Sequence, residues 1–227
     1  ENKNNISGIA EKAEHKETIN LILKLHPDLN KLIIINDQTM TGKSIKEELK
    51  VVLKKYNNNL NYEIWDTFTI KELQSRLDNL NKNDVIYLLV LNRDKNGNFI
   101  SYNQGIDKIK EVSKNPIYGA WDFYLGKGIV GGKLVSAQVQ GKEAALKVKK
   151  IINGENISSE KIVYDIGNDY FFDYLELEKY NISIAELPEG SEIVNQPEPF
   201  FERNYRFLVW GLIILSLIII TLLIFFY

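Results

Sequence analysis

The sequence predicts an α/β fold, a doubly wound and mainly parallel sheet, followed by one C-terminal transmembrane helix. Short apolar runs alternate with segments of helical periodicity over most of the chain, the pattern of a sheet covered by helices. The run "VIYLLVL", Val85–Leu91, is apolar on both faces, as a parallel strand buried on both sides must be. The final stretch "FLVWGLIILSLIIITLLIFFY", Phe207–Tyr227, carries no charge. At ~1.5 Å per residue it approaches the ~30 Å hydrocarbon core of a bilayer.

In chain order, a first helix spans about Glu11 to Leu25 and ends before Pro27. A strand at Leu32–Ile35 is followed by Ile45, Leu49, Val52, Leu53 and Tyr56 on one helical face. A second strand, Tyr62–Trp65, precedes a helix marked by Ile70, Leu73, Leu77 and Leu80. The strand Val85–Leu91 leads to a helix marked by Ile106, Ile109 and Val112, and Ile117–Trp121 forms the next strand. "GKLVSAQVQ", Gly132–Gln140, reads as extended chain. Ala144, Ala145, Val148, Ile151 and Ile152 mark a further helix, which Asn153-Gly154 stops, and Ile162–Tyr164 reads as a last strand.

Composition excludes several function classes. With 28 basic and 30 acidic residues the net charge is -2, and no basic run offers a footprint for nucleic acid. There is no cysteine, and His15 and His26 are the only histidines, so neither a thiolate nor a histidine metal cluster can be assembled. Both histidines are expected on the helix surface. No Ser/His/Asp or Cys/His set is available for catalysis, and no cofactor is implied. "GKS", Gly42–Ser44, follows a strand but lacks the first P-loop glycine, Asp37 standing in its place. "GKGIVG", Gly126–Gly131, has dinucleotide-type spacing, yet extended chain rather than a helix is expected after it. "DKNGN" at Asp94 opens like a calcium loop, but Phe99 and Gly105 occupy the positions of its glycine and terminal glutamate. It reads as a turn.

In doubly wound sheets, ligands bind in the crevice beyond the carboxyl ends of the strands. Those ends carry Asn36-Asp37, Asp66-Thr67, Asn92-Arg93-Asp94 and Trp121-Asp122. Asn and Asp also favour turns and helix caps, so each residue alone is ambiguous, whereas the set points to a polar cleft. "NDQTMTGKS", Asn36–Ser44, is then a loop and helix N-terminus offering amides and hydroxyls to a polar or anionic ligand group.

"NPIYGAWDFYLGKGIVGGKLVSAQVQGKEAALKVKKIINGE", from Asn115, resembles the later part of ABC-transporter substrate-binding proteins, which have the type I periplasmic-binding-protein fold. More narrowly, it resembles versions serving as extracellular sensor domains of bacterial histidine kinases and diguanylate cyclases. "FFDYLELEKYNISIAELPEGSEIVNQPEPFFERNYRF" resembles the tail that joins such domains to a membrane helix. The resemblance runs from "SGIAEKAEHKETINLILKLHP" to the end, and "YGAWDF" and "LPEGS" with "VNQP" are its more specific parts.

The family has two α/β lobes that clamp a ligand between them. The resemblance implies a second lobe over residues 1–125, return segments towards a first lobe over 126–195, a juxtamembrane linker over 196–206 and the membrane helix over 207–227. Most of the first lobe is absent from this sequence, which starts without methionine and ends on an apolar residue, as a piece of a longer protein would. By resemblance, the ligand-binding residues are Asn36, Asp37, Thr41, Asn92, Arg93, Trp121 and Asp122. Trp121 is also suited to the lobe core. An aromatic beside a carboxylate suits an amino-acid-like or other small polar solute. The implied function is an extracytoplasmic sensor domain, residues 1–206 lying outside the cell membrane, with no catalytic role for this segment. Lobe closure would pass through the membrane helix to a cytoplasmic output module, with homodimerisation through the membrane-proximal region. The alternative is a membrane-tethered binding protein of an ABC transporter.

Overall fold

The computed structural model describes residues 6–56, 59–156, 162–164, 166–198 and 200–226. The chain divides into two units, Glu1–Asn195 and Gln196–Tyr227. The first unit opens with α1 (His15–Leu25), then β1 (Lys31–Ile35), α2 (Met40–Leu53), β2 (Tyr62–Trp65), α3 (Ile70–Asp78) and β3 (Asp84–Leu88). It continues with α4 (Tyr102–Lys110), β4 (Ile117–Gly119), β5 (Gly131–Val135), α5 (Ala137–Ile152), β6 (Asn168–Asp173), α6 (Tyr174–Lys179) and β7 (Glu192–Val194). The strands form one seven-stranded sheet ordered β2-β1-β3-β4-β5-β6-β7. Every adjacent pair is parallel except β5 with β6.

Alternation along the central strands divides the core into two layers. Leu32, Ile34, Val85 and Tyr87 point to the face packed by Ile19 and Ile22 of α1 and by Ile45 and Leu49 of α2. Ile33, Ile35, Ile86 and Leu88 point to the other face, against Leu73 and Leu77 of α3 and Ile106 and Ile109 of α4. Full burial of one such side chain contributes roughly 1.5–3 kcal/mol, so these two layers outweigh any local propensity. Capping boxes fix where α3 and α4 begin: Thr69 with Glu72, and Ser101 with Gln104.

Several boundaries differ from the sequence expectation. The helix expected from Glu11 starts at His15. Gly132–Gln140 is not extended throughout: β5 ends at Val135, and Ser136 accepts the Val139 N–H to start α5. Ile162–Tyr164 is no strand; Val163 makes a single parallel bridge to Ile9. The strands β6 and β7 extend the sheet instead.

The histidines are not surface residues. His15 is only 3% exposed, and its Nδ1 lies 2.8 Å from the Tyr87 hydroxyl. His26 is half-buried, with Nε2 2.8 Å from the Tyr118 hydroxyl. Tyr87 and Tyr118 are register partners on β3 and β4, both fully buried. Three turns of α1 carry the two imidazoles over the two adjacent rings, each supplying the partner that a buried tyrosine hydroxyl requires.

The second unit contains α7 (Phe200–Phe226), of which Arg203–Phe226 is long and apolar enough to cross a membrane. Ser216 and Thr221 are the polar exceptions within its uncharged stretch. Ser216 donates to the Ile213 carbonyl and Thr221 to those of Leu217 and Ile218, so both hydroxyls are satisfied inside the helix. Tyr227, the expected last residue of the span, lies outside the described residues.

Burial lowers the His15 pKa from 6.5 to about 4. The neutral ring is therefore the native form, and its stabilising effect is complete above pH 6.5. As pH falls from 6.5 towards 4, the unfolded chain takes up a proton that the native state refuses. About 3 kcal/mol should be lost across that window. Chemical denaturation at a series of pH values measures the slope, and His15→Gln should flatten it.

Candidate functional site

The order β2-β1-β3 makes the chain reverse direction across the sheet at β1 and β3. A crevice opens beyond the carboxyl ends of these two strands. The loop after β1 fills it. Asp37, 1% exposed, accepts from the Thr39 backbone N–H at 3.0 Å and the Thr39 hydroxyl at 2.5 Å through Oδ1. Its Oδ2 accepts the Asn92 N–H, beyond β3, at 2.7 Å. Thr39 in turn caps α2, its Oγ1 accepting from the Gly42 N–H at 3.1 Å. Asn36, fully buried, donates from Nδ2 to the Gly42 carbonyl at 2.8 Å. Asp37 and Asn36 are thus committed to holding the loop and the first turn of α2.

Gly42 owes its identity to that closeness. A Cβ there would lie 2.4 Å from both the Asp37 carbonyl oxygen and Asp37 Oδ1, so no larger residue fits without moving α2. The Gly-Lys-Ser at this helix start serves packing against Asp37. Asp66, at the end of β2, is paired with Lys46 of α2. Burial pushes the Asp66 carboxyl up, but hydrogen bonds from Lys46 and Thr67 outweigh it and hold it below the usual carboxylate range.

Beside the filled crevice lies a cavity of about 240 Å³ lined by Glu11, Thr41, Val90, Asn92, Tyr102, Trp121, Asp122, Phe123, Val135, Ala137 and Gln140. Four of the seven residues expected to bind ligand meet here: Thr41, Asn92, Trp121 and Asp122. Asn36 and Asp37 are not among the lining residues, and Arg93 lines a separate depression with Gln38, Thr39 and Lys95. The Arg93 guanidinium donates to the Gly97 carbonyl at 2.8 Å. Asp94, the first residue of the calcium-like run, accepts from the backbone N–H groups of Asn96 and Asn98 and so forms a turn.

Trp121 is both wall and core. It is 8% exposed, belongs to the layer under α1, and its indole N–H donates to Glu11. Phe123 lies nearly parallel to it, 17° between planes with centroids 6.2 Å apart, and Tyr102 sits 4.1 Å from Phe123. Asp122 accepts the Ala137 N–H at 3.1 Å, fixing the start of α5. Glu11, Tyr102, Phe123 and Gln140 were not singled out from sequence. Tyr102 sits on α4 and Glu11 is 110 residues from its indole partner, a pairing that no local pattern encodes.

Residues 1–187 match the protein family described as ABC transporter substrate binding protein. No curated protein shows a significant match. Among solved structures, a conserved domain protein from Vibrio cholerae O1 biovar El Tor is similar at 21% identity and TM-score 0.56, covering 83% of this chain and 63% of its own. A ligand-free, open substrate binding protein with adhesive properties from Clostridium difficile is similar at 16% identity and TM-score 0.61, covering 84% and 63%. The ABC domain in complex with L-Trp from Streptococcus pneumonia is similar at 15% identity and TM-score 0.59, covering 84% and 65%. At these identities the likeness is one of fold, that of type I periplasmic-binding proteins, and the chain spans less than two thirds of each structure's length.

Replacing Asp37 by Ala removes the acceptor for three donors and leaves the Asn92 and Thr39 N–H groups unpaired. An unfolding free energy lower by about 3 kcal/mol is expected, read from urea midpoints. Thr41→Val, at an exposed position on the cavity rim, should change it by less than about 0.5 kcal/mol. Unaltered stability in Asp37→Ala would show that the loop does not depend on this carboxylate.

Proposed function

The chain belongs to the ABC transporter substrate binding protein family, and from that premise we propose that it is the extracytoplasmic small-molecule-binding part of a membrane receptor. This family consists of binding proteins that are normally not catalysts. The cavity at the carboxyl edge of the sheet, with its aromatic wall and carboxylates, is the observation that carries the reading. Its 240 Å³ is below the ~300–1,000 Å³ of a complete small-ligand pocket, as one wall of a two-sided cleft would be. The ligand reported for the Streptococcus pneumonia structure, L-Trp, supports an amino-acid-like solute here.

Packing of the family's other lobe, the first, against this one is supported by α5. This helix has no buried residue. Val139, Gln140, Glu143, Lys147 and Ile151 are its half-buried positions, while Ala144, Ala145, Val148 and Ile152 are exposed. At 100° per residue, Gly141, Ala144, Ala145, Val148 and Ile152 fall within an arc of about 100°. The apolar stripe therefore faces away from the sheet, where a packing partner would cover it.

The uncharged stretch of α7 from Phe207 onwards supports anchoring in a membrane, with residues 1–206 outside and ligand occupancy read by an output module beyond Tyr227. A second reading, a membrane-tethered binding protein delivering solute to an ABC permease, is favoured by the family match itself. The coding sequence after Tyr227 separates the two: a kinase or cyclase domain supports the receptor, and an immediate stop codon supports the tether. Topology has its own test. Arg203 and Arg206 precede the span, so the flank after it must be richer in Lys and Arg to keep them outside. Protease added to intact cells should remove the soluble unit; complete protection would overturn the orientation.

A further inference from the structure

We propose that a second cavity, between the segment before α1 and the second half of α2, binds a small apolar molecule bearing one hydroxyl group, which His15 recognises through Nε2. The cavity has a volume of about 600 Å³, within the ~300–1,000 Å³ of small-ligand pockets. It shares only Glu11 with the strand-end cavity, so the inference does not depend on the role of that cavity. Ala10 and Ala13 from the segment before α1, with Val51 and Val52 from α2, give it apolar walls. Its charged residues are exposed and balanced, Glu11 and Glu48 against Lys12 and Lys55, and so favour neither sign of charge in a ligand.

One polar atom decides the ligand class. His15 lines the cavity and is 3% exposed. Its ring is held by the contact of Nδ1 with the hydroxyl of the fully buried Tyr87, at 2.8 Å. Nε2 is buried and has no hydrogen-bond partner among the described residues. A buried polar atom left unpaired is costly, and a molecule that pairs it recovers that cost on binding. Burial keeps the imidazole neutral, so one ring nitrogen donates and the other accepts. Whichever role Nδ1 takes towards Tyr87, Nε2 has the opposite one. A hydroxyl meets either case because it both donates and accepts, whereas an ammonium only donates and a carboxylate only accepts. The apolar walls then favour an alcohol or phenol over a sugar, whose further hydroxyls would be buried without partners.

Phenol and toluene have nearly one shape and differ by the hydroxyl, so they are the probes. The chain is reconstituted in lipid nanodiscs, with empty nanodiscs correcting for partition into lipid. Calorimetric titration should show phenol binding about ten-fold more tightly than toluene. Labelling the histidine ring nitrogens with 15N reports on two residues alone, His15 and His26. Phenol should move the His15 Nε2 resonance far more than toluene does, and leave His26 unchanged. Val51 is 60% exposed, so Val51→Trp fills the cavity from its outer side and should abolish the His15 response. Equal binding of the two probes, no binding of phenol, or binding that leaves Nε2 unmoved would overturn the site. A full His15 response in Val51→Trp would overturn it too, by placing the ligand elsewhere. A thermal melt checks that this variant is folded; should it unfold, phenol against toluene in the unaltered chain decides.

Discussion

The Asp37 carboxylate is the group on which the carboxyl end of the sheet depends. In a doubly wound sheet the reversal of strand order leaves a crevice between two strand ends, and here that crevice is bridged by the protein itself. One oxygen receives the Asn92 N–H from beyond β3, and the other receives two donors from Thr39. Because Thr39 also caps α2, a single side chain sets the spacing of β1 and β3 and the position of the first turn of α2. Gly42 completes the arrangement by allowing the helix backbone to touch Asp37. Charge-assisted hydrogen bonds of this kind are about twice as strong as neutral ones, and burial makes their loss more costly still. The cavity that remains is displaced towards β4, where the aromatic residues lie.

The central sheet was legible because its signal is thermodynamic and local. β1 and β3 are buried on both faces, and the helices between them carry apolar residues at helical spacing, so hydrophobicity alone located them. The later strands offer no such signal. β5 begins with Gly131 and Gly132, both at positive φ, because a Cβ at Gly131 would strike the Phe171 carbonyl and one at Gly132 the Gly119 carbonyl. The requirement comes from neighbouring strands far along the chain. β6 carries Asn168 and Asp169 where β-formers are usual, and its place in the sheet is secured by pairing with β5. The histidines, expected on the surface, are buried for a reason the local sequence does not carry: a polar residue on a buried helix face is explained only by the hydroxyl that it meets, and Tyr87 is 72 residues from His15.

The candidate cavity was legible in part, by which strand ends surround it and less by which residues line it. Strand-end polarity located the loop after β1, the loop after β3 and the Trp121-Asp122 corner, all of which the structure places at the carboxyl edge. It could not separate residues that face the cavity from those that build its floor. Asn36 and Asp37 have the composition of ligand-binding residues because binding a ligand and binding a backbone use the same donors and acceptors. Burial separates them: both are almost fully enclosed, while Thr41 is exposed and Asn92 half-buried.

Asp122 has a place in two structures at once. Its carboxylate lines the cavity, and through the Ala137 N–H it also fixes the beginning of α5, the helix whose apolar stripe is uncovered. Ser136, the other cap of that helix start, accepts the Val139 N–H at 3.4 Å, a longer contact than the one from Asp122 to Ala137. α5 is therefore held at its N-terminus partly by a residue exposed to whatever occupies the cavity. The cavity wall and the first turn of α5 thus share one carboxylate, so the start of that helix is held by a residue that also shapes the cavity.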